Sequence, residues 1–312
     1  MKDFLNFIRW KSILLCLIAL VVVRFFLIEP FYENFVGGLA STISNLEYFI
    51  FCLSILLIVV ASILINEYFD QDIDNINRAE KDIYIGRIIS EKRVLTLFYV
   101  LSIIAVLIGY VIGYLNGFLH LGSLMIVFVF MSYFYSLKYK RNFLVGNIVV
   151  AILYSMIILL PVLFELFALM NNPGGLFKVI IVPLKEELLY VTLFFTAITF
   201  LLTLIREIVC DMQDEEGDRE CDSRSLIVSL GEKKTKNVVY VLSILFLALT
   251  LFFLFTYYTG VHLIVCALIV CAPMLFFLKE LKKAKSIQDY GFLSELLRMI
   301  FVSGLFMIIN IY

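Results

Sequence analysis

Nine stretches of this chain are apolar for long enough to cross a bilayer. They lie near residues 12–28, 48–66, 94–115, 117–136, 143–165, 189–210, 237–258, 260–279 and 292–312. A helix covers a hydrocarbon core of about 30 Å with about 20 apolar residues, at roughly 1.5 Å per residue. Lipid offers no partner to backbone N–H and C=O groups, so a spanning segment must be a helix or part of a closed barrel. The two-residue alternation of a barrel strand is absent. Composition agrees, with 62% hydrophobic residues, 16% charged residues and a mean hydropathy of +1.02. So few charges cannot cover the surface of a soluble domain. The expected fold class is all-α: a polytopic membrane protein of about nine transmembrane helices.

Lys and Arg give this bundle an expected orientation. With the N-terminus inside, 22 of the 25 basic residues fall on the inner side, and only Arg24, Lys178 and Lys185 fall outside. The expectation is a multi-pass protein of the cell (inner) membrane with its N-terminus and long polar loops cytoplasmic. The first apolar run is interrupted by Arg24 and followed by no small-residue cleavage site, so it reads as a spanning helix rather than a signal peptide.

No Pro/Gly/Ser-rich linker divides the chain, so residues 1–312 read as a single integral-membrane domain. The longest non-cytoplasmic loop is expected at about 166–188, with a turn at Asn171-Asn172-Pro173-Gly174-Gly175. The polar loops 67–93 and 211–236 leave the second and sixth helices, which suggests two related four-helix halves plus an extra helix.

Half of the 26 acidic residues crowd into two short stretches of these loops. The first cluster runs from Asn66-Glu67 through Asp70, Asp72 and Asp74 to Glu80 and Asp82. The second runs from Asp211 through Asp214, Glu215, Glu216 and Asp218 to Glu220 and Asp222. Asn66, Asp70 and Asp74 are spaced i, i+4, i+8, and Asp211, Asp214 and Asp218 are spaced i, i+3, i+7. Each set lines one helix face. Like charges 4–6 Å apart cost a few kcal/mol per pair at an effective dielectric near 20, so the clusters call for a cation. An all-oxygen donor set suits Mg²⁺, which keeps open coordination for substrate phosphates. Zinc would want His and Cys. His120 and His262 fall on the other side, and the six cysteines lack metal spacing and read as apolar filler. The expected metal ligands are Asn66, Asp70, Asp74, Asp211, Asp214, Glu215 and Asp218. Asp72, Glu80, Asp82, Glu220 and Asp222 read as a solvated face.

Basic and polar residues near the clusters are candidates for holding a diphosphate or a second anionic substrate: Arg78, Arg87, Lys138, Asn147 and Arg224, together with Asn66. Positive-inside topology accounts equally well for several of the cations. Asn147 either lines a cavity or bonds to a neighbouring helix. Tyr133, Tyr135 and Tyr139 fit an interfacial aromatic belt and could also shield a cation.

The motifs Asn66-x-x-x-Asp70-x-x-x-Asp74, continuing through Asn77-Arg78 to Gly86-Arg87-Ile88-Ile89-Ser90, and Arg206-Glu207 through Asp211, Asp214 and Glu215-Glu216-Gly217-Asp218 resemble those of the UbiA superfamily of intramembrane prenyltransferases. The second motif looks most like that of digeranylgeranylglyceryl phosphate synthases. This sequence departs from the common pattern at Glu67, at Arg78-Ala79 and at Ser223-Arg224-Ser225-Leu226-Ile227.

The resemblance implies a UbiA-like bundle with a central cavity open to the cytoplasmic side, and Mg²⁺ as cofactor. It implies Asp70, Asp74, Asp211, Asp214 and Asp218 as catalytic residues holding Mg²⁺ and a prenyl diphosphate. The implied reaction is transfer of a polyprenyl group, geranylgeranyl in the first instance, to a membrane-associated acceptor such as a geranylgeranylglyceryl phosphate-type lipid. An aromatic quinone precursor is the alternative acceptor. A divalent-cation transporter is the alternative of another class, and it would place acids near the bilayer midplane. The expected partners are a prenyl diphosphate donor, a lipid or aromatic acceptor and the membrane. No nucleic acid and no obligate protein partner are expected.

Overall fold

The computed structural model describes residues 2–35, 41–77, 83–140, 142–171, 175–221, 223–309 and 311. Among them are nine helices long and apolar enough to cross a membrane. They are α1 (Trp10–Asn34), α2 (Asn45–Phe69), α3 (Glu91–Leu115), α4 (His120–Tyr139) and α5 (Val145–Asn171), then α6 (Glu186–Gln213), α7 (Glu232–Tyr257), α8 (Gly260–Lys283) and α9 (Ile287–Ile308). The expected count and helical class hold.

Several expectations need correction. The chain between α5 and α6 is not a long loop, because α5 runs to Asn171 and helix resumes at Gly175, continuous with α6. The Leu166–Met170 stretch extends the apolar pattern of α5, and backbone bonding carries the helix to its end. The central part of the expected turn, 172–174, lies outside the described residues. One compact unit comprises residues 1–137 and 156–193, and the other comprises 138–155 and 194–311. The boundary cuts through α4, α5 and α6. Arg24, counted from sequence among the three outside charges, is a buried residue within α1, 1% exposed.

In the first unit α2 packs against α1, α3 and α4, and α3 pairs with α4. Ser44 starts α2 with a reciprocal cap: its hydroxyl accepts from Glu47 N, and the Glu47 carboxylate accepts from Ser44 N. Ser54 Oγ donates to Ala105 O of α3 at 2.8 Å, and Ser62 Oγ donates to Ser132 Oγ of α4 at 2.7 Å. Such polar stitches suit helix contacts in lipid, where hydrophobicity alone does not hold helices together. The α3–α4 pair approaches closely through Gly109, where a Cβ would lie 2.7 Å from Met125 Cγ, and through Gly122, which lies against the Tyr110 ring.

Arg24 sits in a π-helical turn, Val23–Ile28, and joins α1 to α5. Its Nη1 lies 3.3 Å from Glu165 Oε2, its Nη2 donates to Ser41 Oγ and Ile43 O, and its guanidinium lies over the Tyr48 ring. In the second unit α7, α8 and α9 pack in sequence. Tyr258 donates to Met307 O, and Lys236 Nζ donates to Ala284 O. All six cysteines are free thiols.

Candidate functional site

The two acidic motifs share a backbone device. The second spanning helix ends at Phe69 and a short helix, Gln71–Asn77, follows; the joint is Asp70, at φ −90°, ψ −1°. The sixth ends at Gln213 and Glu215–Glu220 follows; the joint is Asp214, at φ −98°, ψ 14°. Both aspartates occupy the sparsely allowed bridge region, where functional residues recur. Helical hydrogen bonds continue across both joints. Asp70 N donates to Asn66 O and Asp74 N to Asp70 O, at 3.0 and 2.8 Å. Asp214 N donates to Cys210 O and Asp218 N to Asp214 O, at 3.0 and 3.1 Å. The i, i+4, i+8 reading thus survives at the level of backbone pairing, but the helix bends where an uninterrupted face was expected.

In the first motif Asn66 and Asp70 are buried and Asp74 is half-buried. Asn66 Nδ2 donates to Asp70 Oδ2 at 2.6 Å, while Asn66 Oδ1 is buried with no hydrogen-bond partner. A buried oxygen without a donor costs about 1–3 kcal/mol, so its position beside a carboxylate fits a cation. Glu67, also buried, accepts from Arg9 through Nε at 3.0 Å and Nη2 at 2.6 Å, both on Oε1. Beside Asp70, the Tyr133 ring meets Phe69 edge-on at 5.9 Å and stacks on Phe98 at 6.0 Å.

In the second motif Asn147, in the first turns of α5, donates from Nδ2 to Asp211 Oδ2 at 2.8 Å. That contact is the bond to a neighbouring helix that the sequence allowed for Asn147, made to the motif itself. Asp218 and Glu207 are close enough to repel the Asp211 carboxylate, and Lys140 is close enough to attract it. Asp218 is buried, Asp214 is exposed, and Glu215 is held by Arg219 through Nε and Nη2 at 3.0 and 2.6 Å. Ser223 N bonds Asp218 O and turns the chain back.

The basic candidates have different surroundings. Arg87 projects from a tight turn centred on Gly86 (φ +85°), bonds Ile83 O and lies over the Tyr84 ring. Lys138 and Arg224 are exposed. Arg78 lies outside the described residues, as do Glu80, Asp82 and Asp222. Among the described residues no three His, Cys, Asp or Glu side chains converge tightly enough to hold a metal alone. The donor set on offer is oxygen throughout, with Asn66 Oδ1 available.

Sequence reasoning missed two contacts, Arg9 with Glu67 and Arg219 with Glu215, and the electrostatic influence of Lys140 on Asp211. Only the second leaves a trace in sequence, as an i,i+4 acid–base pair.

A family model described as the UbiA prenyltransferase family matches residues 35–304. A digeranylgeranylglyceryl phosphate synthase of Methanosphaera stadtmanae is 29% identical over 213 residues, covering 68% of this chain and 67% of the relative. Among solved structures, a UbiA homolog from Aeropyrum pernix K1 superimposes with a TM-score of 0.64 at 14% identity, over 94% of each chain. A UbiA homolog from Archaeoglobus fulgidus, solved bound to DMAPP and Mg²⁺, does so with a TM-score of 0.54 at 16% identity, over 99% of this chain and 100% of that one. Matched along most of its length and sharing this fold, the chain belongs to the UbiA prenyltransferase family.

Proposed function

We propose that this protein transfers a polyprenyl group, geranylgeranyl in the first instance, from its diphosphate to a geranylgeranylglyceryl phosphate-type lipid within the membrane. The observation that carries the reading is Asn66 Oδ1, a buried oxygen without a donor, hydrogen-bonded through its own amide to the Asp70 carboxylate at the bend of the first motif. The family membership and the digeranylgeranylglyceryl phosphate synthase relative support the reaction class and the acceptor. The Mg²⁺-bound homolog supports the metal.

Asn66, Asp70, Asp74, Asp211, Asp214 and Asp218 are the residues that would hold Mg²⁺, with Glu215 contributing if Arg219 releases it. When bound, Mg²⁺ would draw charge off the diphosphate and so ease ionisation of the allylic C–O bond. The chain's own residues do the rest. Asn147 orients Asp211 by its 2.8 Å hydrogen bond. Arg87, Lys138, Arg224 and Arg78 supply cations for the diphosphate or the acceptor phosphate. The apolar helices exclude water, which would otherwise quench an allylic cation. Lipid is as apolar as the bundle, so burying the prenyl tail adds little, and donor recognition rests on the diphosphate end.

Both motifs belong to one catalytic domain formed by the whole chain, acting in a cavity open to the cytoplasm. The protein lies in the cell's inner membrane with its N-terminus cytoplasmic, a reading supported by the 22 of 25 basic residues that topology places inside.

The test is product identification. Purified protein in Mg²⁺ is given labelled geranylgeranyl diphosphate and a panel of glyceryl-phosphate lipids and aromatic acids, and products are weighed by mass spectrometry. The expected product is a doubly prenylated glyceryl phosphate, abolished by EDTA and restored by Mg²⁺. Label appearing only on the aromatic acids, or transfer indifferent to EDTA, defeats the proposal.

A further inference from the structure

We infer that Arg9, in the segment preceding the first spanning helix, is a positioning residue for the first acidic motif. It neutralises Glu67 and keeps that carboxylate out of the diphosphate's way. Arg9 lies before residue 35, where the family model begins, so this contact is not part of what the family match describes. The inference rests on the prenyl-transfer reading.

Three observations carry it. The backbone of Arg9 is left-handed, at φ 50°, ψ 49°, a conformation that costs a non-glycine residue of order 1 kcal/mol. Strain of this kind persists only where surrounding contacts impose it. The contact it serves is two-pronged, with Nε and Nη2 converging on one oxygen, Oε1 of a buried Glu67. Glu67 stands next to Asn66, whose Oδ1 has no partner, and three residues before Asp70.

The segment is also anchored independently of Arg9. The short helix Lys2–Phe7 buries Phe7 completely against Leu64 and Val94, with its ring edge-on to Tyr84 at 5.8 Å. Leu64 is one turn before Glu67, and Tyr84 belongs to the turn that carries Arg87. Asp3 adds an exposed ion pair to Arg87 at 3.7 Å, worth little by itself. Phe7 therefore docks the segment, and the left-handed turn aims Arg9 at the motif.

Glu67 is one methylene longer than an aspartate would be at this position. A longer carboxylate reaches further, so a charge that clamps one of its oxygens keeps it from competing with Asn66 and Asp70 for the cation or repelling the donor. A purely structural pin would shift stability with the charge at residue 67 and leave donor KM unmoved. A charge-masking residue moves donor KM as well.

The test uses Arg9→Gly, because glycine favours the left-handed backbone and so removes the guanidinium while keeping the turn. KM for the prenyl diphosphate is expected to rise about tenfold in R9G, equivalent to about 1.4 kcal/mol, with kcat changed less. The R9G/E67Q double variant is expected to recover most of that rise, because glutamine needs no counter-charge. Phe7→Ala, which loosens the segment by packing, should lower stability without this selective recovery. A second readout needs no turnover: thermal unfolding midpoints of wild type, R9G, E67Q and R9G/E67Q in detergent. Non-additive shifts support the pair. An unchanged donor KM in R9G, or a rise that E67Q fails to reverse, overturns the inference. If the wild type transfers no prenyl group at all, the functional reading fails separately. The unfolding cycle then decides the contact, and additive shifts overturn it.

Discussion

Removing the carboxylate of Glu165 should damage this fold more than any other single polar truncation in the first unit. Glu165 is 0% exposed and Arg24 1% exposed. The acid neutralises Arg24 at 3.3 Å, and its other oxygen accepts from Tyr32 Oη at 2.8 Å, Thr42 N at 2.6 Å and Ile43 N at 3.3 Å. Breaking a buried pair from one side costs about 3–5 kcal/mol, because the remaining charge stays buried. Each backbone N–H left without an acceptor adds about 1–3 kcal/mol where water cannot reach it. Against this, Glu29 still lies 3.0 Å from Arg24 and is partly exposed, and Asn45 and Ser41 still accept from the guanidinium. The net expectation for Glu165→Ala is a loss of about 3–5 kcal/mol. Glu165→Gln keeps an oxygen for Tyr32, Thr42 and Ile43 and should lose roughly half of that. Replacing both partners, R24L/E165L, should recover only part of the loss. The charge problem disappears, but the Thr42 and Ile43 N–H groups remain orphaned. Equilibrium unfolding of detergent-solubilised protein measures all three variants. A loss below about 1 kcal/mol in E165A, or equal losses in E165A and E165Q, would refute the reasoning.

Asn147→Leu removes the amide that bonds Asp211 and should cost about 1.5–3 kcal/mol of stability, measured by the same unfolding assay, with a raised Mg²⁺ requirement in turnover. Gly122→Leu places carbon inside the Tyr110 ring's contact shell and should lose about 1–3 kcal/mol by overpacking. Adding Tyr110→Ala should relieve much of that loss, and additive losses would count against the close approach. Asp70→Asn and Asp214→Asn should lower turnover about 100-fold or more while leaving the metal-free protein at least as stable as wild type. A variant of either kind that turns over normally in Mg²⁺ would remove that residue from the site.

The spanning helices were legible because lipid leaves the backbone only helix or closed barrel, and long apolar runs without two-residue alternation pick out the helix. The bends were not, because i, i+4 spacing reads the same through Asp70 whether the helix continues straight or turns. The paired partners were not legible either. Arg24 meets an acid 141 positions later and Arg9 one 58 positions later, and no local pattern announces either pair. In sequence Arg24 interrupts the first apolar run and counts among the three basic residues that fall outside. Burial with Glu165, Tyr48 and Ile43 O makes it a structural residue instead. The length of the link after α5 was misjudged for a related reason: Glu186 and Glu187 look like loop, yet a helix already under way accommodates them. Of the site, the two acidic rows and Asn147 were visible from residue type and spacing. The guards on Glu67 and Glu215 were visible only once the chain had folded.

Electrostatics explains why the acids at the two joints point to function more strongly than their number does. A helix carries partial negative charge at its C-terminal end, so an anion there is unfavourable by about 0.3–1 kcal/mol. Asp70 caps the C-terminal end of a 25-residue helix, and Asp211 and Asp214 stand at the end of a 39-residue one. Each short helix that follows opens with further acids, Asp72 and Asp74 in one case, Glu215, Glu216 and Asp218 in the other, which its own N-terminal end favours; the unfavourable placement is at the preceding C-terminal ends. Fold stability alone would place lysine or arginine at these ends, as the chain does at the end of α8 with Lys282 and Lys283. Twice the sequence does the reverse, and twice it sets an aspartate in the bridge region at the bend. Neutralising Asp70 or Asp214 should therefore relieve repulsion in the resting protein while removing an oxygen ligand from the loaded one. A stability gain coupled to an activity loss is the signature of a site built against the preferences of its own helices.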